Sequence, residues 1–465
     1  MSTQVMSSEV AGQHLQRSLS SGQLTMIAIG GAIGTGLFLG SGLAIGMAGP
    51  AVLLSYVIAA AIALLLMGCL AEMTVAHPIA GSFGVYAGHY LGPFAGFLVR
   101  YSYWAGLVLA VGTEVTAVAV YMRLWFPSVP GVVWMLVFSL ALIAMNTLQV
   151  KVYGTLEYLF SLIKILAIVG FLALGAWILF FSRDASSMGL RLYTAHGGFL
   201  PFGVRGMWAA VLVAIFSYFG VEMVAVAAGE ARDPKRAITR AFRSTAIRVV
   251  LFYLLTLALM LAIMPWNQAG SATSPFVRVM QVSHIPYAAG ILNLVVLIAA
   301  LSAMNSQLYA TSRILFSLAR AGYAPEALGR LSRAGVPVAA LLLSSGGVAV
   351  GALLYAVYAG AAFGIMISIA SFAELFVWLM IFVTHLVFRR RHVAAAGDLR
   401  MFGAPWTTLM GATLLLAVMI TSAFTPGFRS MLLYGVPFLG LLTLLYRLRA
   451  RKTRPEAELA AEMAG

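Results

Sequence analysis

Long apolar stretches separated by short polar segments run from one end of the chain to the other. Most reach the roughly 20 residues that an α-helix needs to cross a bilayer. Membrane strands would instead show short segments of alternating polarity. The pattern therefore predicts an all-α integral membrane protein with 12 transmembrane helices. The predicted spans are 24–46, 51–75, 94–120, 131–149, 156–182, 207–228, 246–265, 286–312, 337–357, 361–388, 405–424 and 429–447.

The composition indicates that little of the chain lies outside the membrane. Of the 465 residues, 62% are hydrophobic and only 9% are charged, whereas soluble domains carry about 25% charged residues. The single cysteine, Cys69, excludes an internal disulfide. The formal net charge of +15 comes from basic residues between spans, which favours contact with anionic lipid over nucleic acid.

The basic residues also predict the orientation. With the N-terminus in the cytoplasm, 22 of the 29 Lys and Arg side chains fall on the cytoplasmic side, six fall outside, and Lys164 lies within a span. Cytoplasmic loops carry the excess of basic residues in membrane proteins. Both termini are therefore expected in the cytoplasm, as an N-terminal segment 1–23 and a tail 448–465.

Six glycines fall among the 14 residues 29–42, near the middle of the first predicted span. Each glycine destabilises a helix by about 1 kcal/mol relative to alanine, so the first helix is expected to break here. Freed backbone amides and the positive end of the second half-helix would bind an anion, such as a substrate carboxylate. The alternative is that these glycines only allow close helix packing.

A second interruption lies five spans later, in the segment 216–222. Breaks five spans apart predict two inverted five-helix repeats with the site between broken helices 1 and 6. The repeats would comprise 24–182 and 207–388, and the last two spans would occupy 405–447. The aromatic side chains of Trp208, Phe216, Tyr218 and Phe219 could line a side-chain pocket or form a lid, or serve only in packing.

Ionisable side chains inside predicted spans are candidates for function. Lys164 lies mid-span and could load and release a proton, or donate to the carbonyls of a broken helix. Glu222 could carry a proton, face an ammonium group, or hold the loop by accepting backbone N–H bonds. For Glu114 and Glu374, a structural role and a role toward substrate or proton both stay open.

Motifs for enzyme chemistry are missing from the sequence. There is no G-x-x-x-x-G-K-[ST] loop for ATP, and no Cys/His cluster has metal spacing. The sequence therefore predicts no catalytic residues, no metal and no cofactor.

Three segments together resemble a known family: residues 30–42, residues 216–234, and residues 305–325 with 335–337 after them. They are similar to the first, sixth and eighth helices of the bacterial amino acid transporter family. That family belongs to the amino acid–polyamine–organocation superfamily and includes aromatic, proline, lysine and D-alanine/glycine permeases. The resemblance covers nearly the whole chain.

The resemblance implies proton-coupled amino acid uptake across the bacterial inner membrane. Lys164 matches a family lysine at the place where sodium-driven relatives bind a cation. Glu374 departs from the family, where a small or neutral residue is expected. By analogy, the backbone that holds the substrate α-carboxylate is that of Ile33, Gly34, Thr35 and Gly36. The α-ammonium group would be held by carbonyls around Phe216, Ser217, Phe219 and Gly220.

The two breaks complement a zwitterionic α-amino acid, and a neutral one with an aromatic or aliphatic side chain is expected. A cationic substrate would need an extra carboxylate, which Glu114, Glu222 or Glu374 could supply. An exchanger of the same fold is one alternative, and a membrane sensor or channel is another. The expected partners are the amino acid, a proton and membrane lipids; the oligomeric state is left open, with a monomer sufficient.

Overall fold

The described part of the chain is entirely α-helical apart from its turns and connections. The computed structural model describes residues 33–77, 82–147, 150–181, 188–223, 225, 234–270, 273–283, 285–332, 334–392 and 399–449. Its α-helices are α1 (Ser41–Ala48), α2 (Val52–Ala76), α3 (Ser82–Leu91), α4 (Pro93–Met122), α5 (Gly131–Asn146), α6 (Val150–Phe181), α7 (Gly203–Tyr218), α8 (Pro234–Ile263), α9 (Pro275–Val282), α10 (Ala288–Arg320), α11 (Val338–Ser344), α12 (Gly346–Tyr358), α13 (Ala362–Arg391), α14 (Trp406–Thr421) and α15 (Arg429–Arg449). A π-helical segment, Gly36–Gly40, precedes α1, and short 3-10 turns complete the described secondary structure.

The helices follow the apolar stretches because a helix satisfies its own backbone hydrogen bonds inside a membrane. Eight stretches within the described residues are long and apolar enough to cross, and α5, α7 and residues 250–263 form shorter apolar helices. The all-helical membrane class is thus confirmed. The count of 12 spans and the two repeats stay predictions, and residues 24–32, the first part of the predicted first span, lie outside the described residues.

Helix α4 occupies the centre of the bundle and packs against α3, α10, α12 and α13. Small residues let its neighbours approach closely: a Cβ on Gly112 would lie 2.5 Å from the carbonyl oxygen of Gly347 on α12. This central position explains why α4 supplies several walls of the internal cavity described below.

Helices α6 and α15 lie at the periphery. Only 28% of the apolar window of α6 and 17% of that of α15 are buried within the protein. Their outward faces carry large apolar side chains such as Leu166, Phe180 and Leu444. A continuous apolar surface of this kind suits contact with lipid rather than water.

Two connections link distant parts of the chain near the ends of the bundle. Just before α9, the hydroxyl group of Ser274 donates to the carbonyl of Phe38 over 2.6 Å. The rings of Phe38 and Phe276 pack edge to face with centroids 4.9 Å apart. We call this contact the α9 seal, because it covers the π-helical segment.

The second connection centres on Glu72 at the end of α2. Its carboxylate accepts hydrogen bonds from Arg389 over 2.8 Å and from His385 over 3.1 Å, both on α13. It also accepts from the backbone N–H of Met401 over 2.8 Å. The buried carboxylate therefore joins α2, α13 and the segment that leads into α14.

Candidate substrate site

The described part of the chain begins inside the glycine stretch that predicts the first-helix break. The backbone bends at Ile33 and Gly34, and a π-helical segment then runs from Gly36 to Gly40. All of its residues are buried. π-Helical turns occur frequently at functional sites, and the first N–H groups of a helix have no partner within it. The sequence analysis assigns these amides to an anion, and that assignment stays a prediction.

The second break is the end of α7. The helix stops at Tyr218, Phe219 turns into an extended conformation with ψ 142°, and Gly220 takes φ +97°. That φ favours glycine because a Cβ would be strained there. The last carbonyls of a helix have no partner within it, so the turn exposes acceptors that an ammonium group could use. The loop after residue 225 lies outside the described residues.

The two breaks touch each other through Ser217. Its hydroxyl group donates to the carbonyl oxygen of Gly36 over 2.8 Å. The Tyr56 hydroxyl lies 2.8 Å from the same Ser217 oxygen and donates to it, because Ser217 has already used its proton. Tyr253 donates to the Ser217 carbonyl, also over 2.8 Å. Helices α2, α7 and α8 therefore hold the first-helix break in place.

Glu222 holds the turn after α7. Both of its carboxylate oxygens lie 3.1 Å from the backbone nitrogen of Gly220, which donates to them. The indole N–H of Trp378 and the hydroxyl of Tyr103 donate to it over 3.3 Å each. Of the three roles predicted for Glu222, this geometry matches the one in which it accepts backbone N–H bonds.

A cavity of about 50 Å³ lies where these elements meet. It has room for roughly four water molecules, close to the size of the amino, α-carbon and carboxylate groups that all α-amino acids share. Its lining residues are Gly34, Gly36, Leu107, Ala110, Glu114, Phe216, Ser217, Phe219, Gly220, Met223, Ala303, Ser306, Gln307, Ala370 and Glu374.

Several residues predicted for the site lie outside this lining. Ile33 and Thr35 are fully buried within the break. Tyr218 packs against the rings of Tyr56 and Tyr253, with centroids 6.1 and 4.9 Å away. Tyr218 is thus part of a tyrosine cluster among α2, α7 and α8, where packing is its evident role.

The sequence did not single out Leu107, Ala110 or Met223, because small and aliphatic side chains in apolar spans carry no distinguishing signal. Ser306 and Gln307 are polar residues in the apolar α10, and that contrast could have identified them. Glu374 lines the cavity although the family resemblance leaves its role in doubt.

Lys164 lies beside the cavity on α6 and is fully buried. Its charged neighbours are Glu157 and Glu114. Glu157 also accepts a hydrogen bond from Ser302 over 2.8 Å. Glu114 reaches the first-helix break, since its Oε1 atom lies 3.1 Å from the position that a Cβ on Gly34 would occupy. A titratable lysine and the break are thus connected through one carboxylate.

The chemistry of this arrangement is binding rather than bond-breaking. Among the described residues, no three His, Cys, Asp or Glu side chains come together as metal ligands would. The cavity combines a helix start, a helix end and buried carboxyl groups, a combination that is able to bind a small zwitterion.

Comparisons with known proteins agree with this geometry. Residues 23–457 match the family profile described as amino acid permease. The uncharacterised amino acid permease YtnA of Bacillus subtilis is 38% identical over 440 residues, covering 93% of this chain and 95% of YtnA. The aromatic amino acid transport protein AroP of Salmonella typhimurium strain SL1344 is 38% identical over 425 residues, or 91% of this chain and 93% of AroP.

AroP of Escherichia coli O6:H1 is 39% identical over 419 residues, covering 90% of this chain and 92% of that protein. These relatives are named as permeases and transport proteins, not as enzymes. The match extends over nearly the whole of each relative, and the range matched by the family profile includes both helix breaks and the residues around the cavity. The chain therefore belongs to the amino acid permease family.

Proposed function

We propose that the protein is a secondary active transporter that takes up an α-amino acid together with a proton across the bacterial inner membrane. The carrying observation is that a helix start and a helix end, Gly36 and Ser217, meet beside one buried cavity. A helix N-terminus favours a carboxylate and the carbonyls at a C-terminus favour an ammonium group. Alternating access would expose this cavity to each side of the membrane in turn.

On the carboxylate side, the backbone of residues 33–36 would donate to the substrate. Gly34 and Gly36 line the cavity directly, and neither has a side chain to block the approach of an oxygen atom. The fully buried hydroxyl of Thr35 lies beside the Glu114 carboxyl group, so the backbone N–H groups rather than this hydroxyl are the proposed donors.

On the ammonium side, the carbonyls of Phe216 and Phe219 are the proposed acceptors, with Gly220 opening the turn. Ser217 contributes less directly, because its hydroxyl donates to Gly36 and its carbonyl accepts from Tyr253. Glu222 fixes the turn and does not touch the substrate. Any effect of Glu222 on proton coupling is therefore assigned to the position of these carbonyls.

Coupling to protons is assigned to Lys164. Protonated Lys164 is attracted to Glu114 and Glu157, and Glu114 contacts the first-helix break at Gly34. Loss of the proton would weaken this attraction and free the break to move relative to α6. One charge moved through 100 mV is worth about 2.3 kcal/mol, which supports roughly fifty-fold accumulation.

The test is uptake of labelled amino acids into proteoliposomes with an imposed pH gradient in sodium-free buffer. Wild-type protein should accumulate substrate, and Lys164→Ala should bind it without concentrating it. Lys164→Arg should also fail, because arginine does not release its proton. Uptake that requires sodium, or accumulation by Lys164→Ala, would refute the proposed coupling.

An exchanger is the second candidate function. In an exchanger, the same site carries one amino acid inward and a different amino acid outward. Counterflow that is equally fast with and without a pH gradient would favour exchange. Both candidates predict cytoplasmic termini and a substrate recognised at its two common ends. A neutral amino acid needs no charged partner beyond those for its carboxylate and ammonium groups. The AroP relatives are named for aromatic amino acids. The selection among substrate side chains depends on the part of the cavity lining that lies away from the two helix breaks.

A further inference from the structure

Glu374 is a buried carboxyl group that has no hydrogen-bond partner among the residues the structure describes. It lies on α13, is 1% exposed and lines the cavity. Neither of its carboxylate oxygens has a hydrogen-bond partner among the described residues. Buried polar groups are nearly always hydrogen-bonded, and an exception calls for an explanation such as a missing ligand.

Glu374 lies against α4 and near a second carboxyl group, that of Glu222. It packs against Gly106 of α4, so closely that a Cβ there would lie 2.7 Å from Oε1. Glu222 is equally buried but accepts from a backbone N–H, an indole and a phenol. A glutamate that served only structure would be expected to have partners like those of Glu222.

The charges around the cavity indicate what the missing partner is. Glu114 and Glu374 line it and Glu222 holds the turn after α7, whereas the buried cation Lys164 has Glu114 and Glu157 as its charged neighbours and not Glu374. The α-carboxylate and α-ammonium groups of a substrate cancel each other. A buried carboxylate is stabilised when a positive charge pairs with it, and the side chain of the substrate is the group that could bring such a charge to Glu374.

The wall beside Glu374 is apolar. Leu107 and Ala110 of α4 and Ala370, one turn before Glu374 on α13, line the same cavity. Lysine and arginine side chains combine a methylene stem with a charged tip and bury the stem against apolar surface. An apolar wall with one carboxylate therefore suits such a side chain in chemistry, and the cavity of about 50 Å³ has to widen to admit it.

We infer that Glu374 pairs with the side-chain cation of the substrate, so that this permease selects a basic α-amino acid carrying an amine or a guanidinium group. The inference rests on the proposed function and adds the side-chain class to it. It replaces the neutral substrate expected from the two helix breaks alone.

The test uses pairs of amino acids that differ only in the charge of the tip: lysine with norleucine, ornithine with norvaline, and arginine with citrulline. Binding to the purified full-length protein is measured by isothermal titration, and uptake by competition in proteoliposomes. In at least one pair the cationic member should bind about tenfold or more tightly than its neutral partner, as expected for a buried charge pair.

Glu374→Gln should abolish this preference by weakening the cationic member about tenfold or more, while the neutral partner binds as before or better. Glu374→Asp keeps the charge and should retain part of the preference. Ser371→Ala is the matched control, since Ser371 is buried on the same helix and does not line the cavity; its preference should equal that of wild type.

Other outcomes separate this inference from the proposed function. A wild-type protein that transports neutral amino acids and prefers no cationic member overturns the role of Glu374 and leaves the proposed function standing. Failure to bind any amino acid refutes both. If Glu374→Gln loses proton coupling but keeps its selectivity, Glu374 is a proton carrier and the inference is wrong.

Discussion

Replacing Gly36 by alanine tests whether the contact between the two helix breaks creates the substrate site. The new Cβ would lie 2.7 Å from the Cα of Ser217 and 3.2 Å from the carbonyl oxygen of Phe216. Both obstacles are backbone atoms, so no side chain can rotate away to relieve the contact. The first-helix break and the end of α7 must therefore move apart.

The size of the effect follows from these distances. Carbon atoms prefer a separation of about 3.5–4.0 Å, so the backbones must separate by about 1 Å. The 2.8 Å hydrogen bond from Ser217 to Gly36 would stretch beyond hydrogen-bonding range. Overpacking of this kind costs about 1–3 kcal/mol. If substrate affinity carries the whole cost, Gly36→Ala weakens binding roughly 5- to 150-fold.

The assay is titration of substrate into purified protein, followed by uptake into proteoliposomes at matched protein content. Gly46→Ala is the control, because Gly46 lies on the adjoining α1 and a Cβ there meets nothing within 4 Å. It should bind like wild type, and its helix should gain about 1 kcal/mol of stability. Wild-type affinity in Gly36→Ala, or an equal loss in Gly46→Ala, would refute the reasoning.

Two further substitutions test the supporting hydrogen bonds. Glu222→Ala leaves the N–H groups of Gly220 and Trp378 without an acceptor, at a cost of about 1–3 kcal/mol each. Titration should show at least a tenfold loss of substrate affinity in this variant and a smaller loss in Glu222→Gln. Equal affinities in the two variants would contradict this role of Glu222. Arg389→Ala removes one hydrogen-bond donor from the buried Glu72 carboxylate. Thermal unfolding in detergent should therefore show that the protein loses about 2 kcal/mol of stability. Arg390→Ala, at the exposed neighbouring position, should leave the stability unchanged.

The sequence predicted the long helices well because a membrane-spanning segment must be apolar whether it faces lipid or the protein interior. The predicted span 94–120 corresponds to Pro93–Met122, and 361–388 to Ala362–Arg391. The short α9 was not predicted, since eight residues with mixed polarity give no membrane signal. Helix α3 was also missed, because the Pro and Gly residues before it indicate only that α2 must end.

The sequence located the backbone of the site but not its side-chain partners. Glycines marked the first-helix break because their effect on a helix is local. The bonds of Glu222 to Trp378 and Tyr103 connect residues more than 100 positions apart, and no local pattern reveals such pairs. The unpaired state of Glu374 could likewise emerge only once its neighbours were known.

The α9 seal and the substrate site share one turn of backbone, and this has a thermodynamic consequence. Phe38 lies two residues from Gly36. In the α9 seal its carbonyl accepts the hydrogen bond from Ser274 and its ring packs against Phe276. A rotation of this turn that releases the seal also pulls Gly36 away from Ser217. If substrate binds at Gly36 as proposed, it binds more tightly to the sealed form than to the opened one, and by linkage it shifts the population toward the sealed form. The proposed site therefore predicts that the loaded protein keeps the α9 seal closed for more of the time than the empty protein does.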